Sequence, residues 1–431
     1  MFSVILLRSA RVIDPDSGLD GVFDILIRDG KIAEIGEALS ADGARIIDAH
    51  GLCAVPGLVD MHVHLRDPGY TYKEDIASGT AAAARGGVTS VACMPNTKPV
   101  IDSAEALRYI AGAAEHAPVR VFPYGAVSLG QSGNALTDFA ALKAAGAVAL
   151  SDDGNPVMSA QLMRRALVAA RESGLVISSH CEDAEMVRNY AVNDGAVSLK
   201  LGLNGRPAIA EELMVARDAM LAQETGARVH IAHVSTARSV EIIRRAKADG
   251  VAITAETCPQ YFTLTEDEVL AQGSLARVNP PLRTEADRLA IVAGLRDGTL
   301  DAIATDHAPH SVEEKSRPLE DAPSGMVGLE TSLALTLTAL YHTGLLALTD
   351  IIRLMAAAPA RILGLDAGTL RVGAIADVVL FAPDETWTVE PSLFASKSRN
   401  TPFGGRQLRG KVKYTISRGK IAYADNENGG K

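Results

Sequence analysis

Between residues 58 and 305 the sequence repeats one motif, a short apolar run followed by an alanine-rich stretch with helical spacing. The runs lie near 58–63, 88–93, 119–126, 147–150, 175–179, 229–232, 251–255 and 302–305. Helices are expected between most of them, for example over 103–115, 159–172, 208–225 and 236–248. Eight strands alternating with helices over roughly 300 residues predict an α/β fold closed into a parallel barrel. A doubly wound sheet is the alternative, but no G-x-G-x-x-G or Walker loop follows any of these runs.

The two chain ends read differently. Val4–Leu7, Asp24–Ile27 and Lys31–Ile35 are short strands set apart by Asp-Pro-Asp-Ser-Gly and Arg-Asp-Gly turns. Near the other end, Asp377–Phe381, Lys413–Ile416 and Lys420–Tyr423 resemble them. Neither set alone makes a stable core, so the ends are expected to pair into one small β-sandwich domain. The expected division is 1–57 and 366–431 for that domain and 58–365 for the barrel.

Composition excludes several classes of function. The chain has 431 residues, 47% hydrophobic and 22% charged, as expected of a globular protein with a substantial core. With 52 acidic against 42 basic residues and no basic run, nucleic acid and anionic membrane are poor partners. Cys53, Cys93, Cys181 and Cys258 are scattered without a C-x-x-C, which suits buried thiols in a reducing compartment. The apolar run Phe2–Leu7 is too short for a secretion signal. His342 and Gly344 interrupt Leu333–Leu348, which reads as a buried helical hairpin and not a membrane span. A cytoplasmic protein is expected.

In a parallel barrel, chemistry gathers at the carboxyl ends of the strands, and polar residues recur there. His62 and His64, two residues apart on strand one, project to the same face and form half of a site for zinc or a similar ion. Strand two ends in Asn96 and strand four in Asp152-Asp153. Strand five ends in His180-Cys-Glu-Asp183, strand six in His230-Ile-Ala-His233, and strand eight in Asp306-His-Ala-Pro-His310. Four histidines and two aspartates thus converge on one mouth. Six ligands exceed a tetrahedral site, so two ions are expected, with Asp153 as the bridge and Asp152 as its alternative. A hydroxide between the ions would be the nucleophile. His230 is expected to face away from the barrel interior, and Cys181 to be a packed thiol. Glu182 and Asp183 are expected to cap the following helix. His307 stays open between supporting the site and supporting the scaffold, and His50, His116 and His342 are read as ordinary.

Six segments together carry a resemblance: His62-Val-His64-Leu-Arg66-Asp-Pro-Gly, Cys93-Met-Pro-Asn96-Thr, Ser151-Asp-Asp153-Gly, His180-Cys-Glu-Asp, Val278-Asn279-Pro-Pro-Leu-Arg and Ala304-Thr-Asp306-His-Ala-Pro-His310. They resemble dihydroorotase of the long bacterial class I type, a branch of the amidohydrolase superfamily. The resemblance implies a (β/α)8 TIM barrel and reversible interconversion of N-carbamoyl-L-aspartate and L-dihydroorotate in pyrimidine biosynthesis. It also implies that His62, His64 and Asp306 hold a buried Zn2+, that His180 and His233 hold a second, and that Asp153 bridges them. One-ion occupancy is the alternative. Many relatives bridge with a carboxylated lysine, but strand four carries no lysine here.

By the same resemblance, Arg66, Asn96, Asn279 and His310, beside His64, would hold the substrate carboxylate, and the backbone of Ser324-Gly325 would meet the ring. Asp306 would serve as general acid and base. The implied partners are a small-molecule substrate, a second copy in a homodimer, and, compatibly, aspartate transcarbamoylase. One segment departs from the family pattern: Glu256-Thr-Cys-Pro-Gln260-Tyr261-Phe reads like hydantoinases and allantoinases. Another cyclic-amide hydrolase is therefore the alternative activity. A non-enzymatic subunit supporting the transcarbamoylase is a third reading, against which the complete ligand set counts.

Overall fold

The eight barrel strands are Leu58–Val63, Val88–Cys93, Arg120–Gly125, Ala149–Leu150, Ile177–Ser179, Val229–Ile231, Ile253–Thr257 and Ala302–Ile303. In the computed structural model, which describes residues 4–425, they pair in that order as one parallel sheet. The sheet closes on itself between the first and last strands through a bridge from Val63 to His307. The His64 N–H donates to the His307 carbonyl at 2.8 Å. Asp60, buried on the first strand, accepts from the Thr305 N–H at 3.2 Å and its hydroxyl at 2.6 Å. These bonds hold the two ends of the sheet together just below the mouth.

The helices form because a hydroxyl satisfies their free N–H groups and an apolar stripe follows. Ser103, Ser159 and Thr236 each accept from the backbone three residues on, opening Ala104–Ala113, Ala160–Ser173 and Ala237–Ala248. Leu107, Leu167 and Ile243 on these helices join the large core cluster outside the strands. Inside the barrel, Ala92, Tyr124, Ala149, Val176 and Ala302 form a separate apolar cluster with Ile362 and Leu363. Ile362 packs in that cluster with Val176 and shares a cavity with Ala252 and Ile253 at the strands' amino ends, so the helix Ala358–Leu363 sits at the floor.

Strands from the two chain ends form the β-sandwich. The joint is Cys53–Pro56, which lies parallel to part of Ile5–Asp14 and antiparallel to Val378–Phe381. Its core, with Ile5, Leu7, Val12, Ile25, Val378, Leu380 and Ile416, is separate from that of the barrel. Ile5–Asp14 is longer than the expected strand because a bulge between Leu7 and Ala10, with Ser9 at φ 58°, lets pairing resume beyond Arg8. The outermost residues of the expected sandwich domain, 1–3 (with Phe2) and 426–431, lie outside the described residues. The stretch 333–348 is one helical arm, turning at Gly344, and the second arm begins only at Leu348. Among the described residues no helix is long and apolar enough to cross a membrane.

Candidate active site

His62 is fully buried, and its Nδ1–H donates to Glu256 Oε1 at 2.7 Å. This leaves Nε2 with no hydrogen bond, 3.5 Å from Asp153 and 3.6 Å from Asp306. A buried imidazole nitrogen facing two carboxylates is what a bound cation would satisfy. His64 Nδ1–H donates to Asn96 Oδ1 at 2.9 Å, and its Nε2 lies 3.1 Å from Asp306 and 3.5 Å from Asp153. Across the mouth, His180 Nδ1 and His233 Nε2 stand 2.8 Å apart, at 3.3 and 3.4 Å from Asp153 Oδ1. Asp153 therefore stands between two imidazole pairs. In each of the sets His62–His64–Asp153 and Asp153–His180–His233, the potential ligand atoms fall within 4.8 Å of one another.

The electrostatics describe a pocket that attracts positive charge. Burial opposes charge on His62, but Asp153 and Glu256 outweigh it and raise its pKa well above the usual imidazole value. His180 is likewise pushed up to about 10, with burial opposed by Asp153 and Glu182. Burial opposes ionisation of Asp153, yet His62, His180 and His233 hold its carboxyl well below the carboxylate range. The backbone is strained at this end. Arg66, His233 and Asp306 have φ of 58°, 36° and 48°, the left-handed region that side-chain-bearing residues seldom adopt.

Above the cluster lies a cavity of about 200 Å³. His64, Arg66, Asn96, Asn279, Asp306, His310, Ser324 and Gly325 all line it, with Asp153, His180 and His233, while His62 lies buried beneath. The Arg66 Nε–H donates to the Pro309 carbonyl at 3.2 Å. His310 Nδ1 accepts from Lys73 at 3.3 Å, so its Nε2–H is free to donate to the Ser324 carbonyl at 2.9 Å. Burial, Arg66 and Lys73 push His310 far down, keeping it neutral. Gly325 sits at φ 138°, where an added Cβ would come within 2.7 Å of the Ala308 methyl, so only glycine fits. The Asn279 amide is held at both ends, donating to Glu182 at 3.0 Å and accepting from Arg206.

Several expectations need correction. His230 faces into the barrel, where its Nδ1 lies 2.9 Å from the Thr254 hydroxyl and its Nε2 3.4 Å from Glu256. Glu182 is no cap: it turns to Asn279 and, at 2.9 Å, to Arg206, and only Asp183 caps the following helix. Asp152 accepts from Val127, Ser128 and the Ser128 hydroxyl, which points it away from the imidazoles. His307 belongs to the scaffold, between Glu74 and the Gly328 N–H. Glu256 lies within the seventh strand, and neither Gln260 nor Tyr261 lines the cavity. Tyr261 instead donates to the Pro280 carbonyl at 2.7 Å, bracing the loop after Asn279. Sequence reasoning missed Glu256, Glu182 and Arg206 as supports, although acidic residues among buried strand ends were a usable signal.

A family model described as "Dihydro-orotase-like" matches residues 51–239. A dihydroorotase of Citrifermentans bemidjiense is 52% identical over 97% of this chain and 99% of its own length. That of Geobacter metallireducens is 51% identical over 97% and 99%. Among solved structures, an L-hydantoinase (dihydropyrimidinase) from Arthrobacter aurescens matches with a TM-score of 0.88 at 28% identity, covering 98% of this chain and 96% of that one.

Proposed function

The chain belongs to the dihydroorotase family, and on that premise we propose that its barrel mouth interconverts N-carbamoyl-L-aspartate and L-dihydroorotate in pyrimidine biosynthesis. One observation carries the reading: Asp153 stands between two imidazole pairs beneath a cavity that Arg66 lines. His62, His64 and Asp306 would hold one Zn2+ and His180 and His233 a second, sharing Asp153, and imidazole with carboxylate suits zinc. Bound zinc supplies Lewis acidity and a water acidified to a pKa of about 7.

The residues do the rest. Asp306 takes the proton of the attacking water and returns it to the leaving ring nitrogen. In cyclisation it accepts the proton of the ureido nitrogen. Arg66 offers the substrate carboxylate a planar pair of N–H groups, with Asn96 and neutral His310 beside it. Asn279, assigned to the carboxylate by the resemblance, has both ends of its amide taken by Glu182 and Arg206, so its place is with the Ser324-Gly325 backbone in the wall offered to the ring.

A hydantoinase or allantoinase activity would leave half-buried Arg66, on the cavity wall, without the carboxylate that its position suits. A purely supporting role beside aspartate transcarbamoylase would leave six convergent ligands without a purpose, while association in addition to catalysis is checked by co-purification. A homodimer is supported by Ile209, Leu213 and Met220, which are 42%, 46% and 70% exposed on the helix Ile209–Thr225. Four buried, unpaired cysteines support a reducing, cytoplasmic setting.

The test compares dihydroorotate, hydantoin and allantoin before and after chelation, with metal analysis. Activity is expected on dihydroorotate above the other two, lost on chelation and restored by zinc. Preference for either other ring, or full activity of stripped protein, would overturn the reading.

A further inference from the structure

Lys315 ends the short helix Val312–Lys315 that follows His310, and it is only 5% exposed. Among the described residues no carboxylate pairs with its ammonium. Its N–H groups instead reach three backbone carbonyls: Pro323 at 2.9 Å, Gly325 at 3.0 Å and Arg277 at 3.3 Å. A buried ammonium without a counter-ion is unfavourable, and burial with the nearby Arg277 charge pulls the pKa of Lys315 down to about 7; when it is charged, its three protons meet three acceptors. Those carbonyls belong to two segments, one leading into Asn279 and the other containing Ser324-Gly325, and both segments line the cavity. Further bonds join the same segments. The Gly325 N–H donates to the Arg277 carbonyl at 2.9 Å, and Arg277 Nε–H to the Ser324 hydroxyl at 3.3 Å. Asn400 adds a bond to the Gly325 carbonyl at 3.0 Å. Lys315 does not itself line the cavity.

We propose that Lys315 is a positioning residue for the ring-binding wall, tying the 277–279 segment to the 323–325 loop so that Asn279 and Ser324-Gly325 stand at a fixed spacing. The proposal rests on the dihydroorotase reading. Without the ammonium, three carbonyls converge with no cation between them, and the loop relaxes outward. Asp306 precedes Lys315 in the segment after the eighth strand and the other proposed metal ligands lie on other strand ends, and the Lys315 ammonium bonds to none of them. Substrate binding should therefore suffer and the chemical step should not.

The experiment uses Lys315→Met, which keeps the chain length without a donor, and Lys315→Ala with added n-propylammonium, both beside the wild type. For Lys315→Met, KM for dihydroorotate is expected to rise about tenfold or more, with kcat within about threefold and metal content unchanged. For Lys315→Ala, n-propylammonium is expected to lower KM saturably, while tert-butylammonium, too broad for the space that the unbranched lysine side chain leaves, does not. KM within about twofold of wild type in both variants would overturn the proposal, as would a raised KM that the amine fails to lower. If Lys315→Met does not fold, the Lys315→Ala rescue decides alone. If neither variant folds even with amine, Lys315 serves the fold and the proposal fails. An inactive wild type would instead retire the dihydroorotase reading.

Discussion

The two ends of one barrel follow opposite rules. At the floor, Val176, Ala302, Ile362 and Leu363 bury apolar surface without polar partners, and the helix Ala358–Leu363 ends in an ordinary Gly364 cap at φ 67°. At the mouth, the same strands end in buried imidazoles and carboxylates, with Arg66, His233 and Asp306 held in left-handed backbone. The floor is what hydrophobic burial alone would build. The mouth holds arrangements that burial alone would not select, and it persists because its own strand ladder and the Asp60 to Thr305 and His64 to His307 bonds fix the strand ends. Stability and chemistry should therefore respond separately to substitution.

The largest separation is expected at Asp306. Asp306→Asn keeps the size of the side chain and removes its proton affinity, so turnover should fall by about 10²–10⁴-fold in both directions. Its unfolding temperature should stay within a few degrees of wild type, because the carboxylate makes no contact with the floor. Steady-state assays in both directions, with calorimetry, read both quantities. Near-normal turnover would remove Asp306 from its role.

Glu256 comes next, because it works through His62. Burial opposes its charge, but His62 and His230 hold its carboxyl down at about 2, and it fixes the ring whose Nε2 faces Asp153 and Asp306. Glu256→Gln retains an acceptor without the charge. Zinc affinity should weaken about 10–100-fold, as for other supports of metal-binding imidazoles. Competition against a chromogenic chelator measures it, and unchanged affinity would reduce Glu256 to packing.

Legibility followed the same division. The strands were readable because each is an apolar run with a turn signal, and the mouth because its polar residues sit at matched strand ends. Partner choice was not readable. Glu256 meets His62 across 194 positions, and Lys315 meets Arg277 across 38, through rotamers that no spacing rule reveals. His230 was assigned the wrong face for a definite reason. The sixth strand ends at Ile231, and His233 lies beyond it at φ 36°, so counting back from His233 carries strand alternation through a bend. Ile5–Asp14 was cut short because polar Arg8 and Ser9 occupy its bulge.

The smallest effect on activity belongs to the floor. Leu363 is 7% exposed and packs with Ile362, Val176 and Ala302 at the end of the barrel away from the cavity. Leu363→Ala removes apolar contacts and leaves a void, which should lower stability by about 2–5 kcal/mol. The strands' carboxyl ends are held by their own ladder, by Asp60 to Thr305 and by the His64 to His307 bond, none of which passes through Leu363. Accordingly kcat/KM at 25 °C should stay within about twofold of wild type even as the denaturation midpoint falls. Urea titration beside a turnover assay reads both. A loss of kcat/KM as steep as the loss of stability would mean that floor packing sets the geometry of the metal ligands, and that the two ends of the barrel cannot be varied independently.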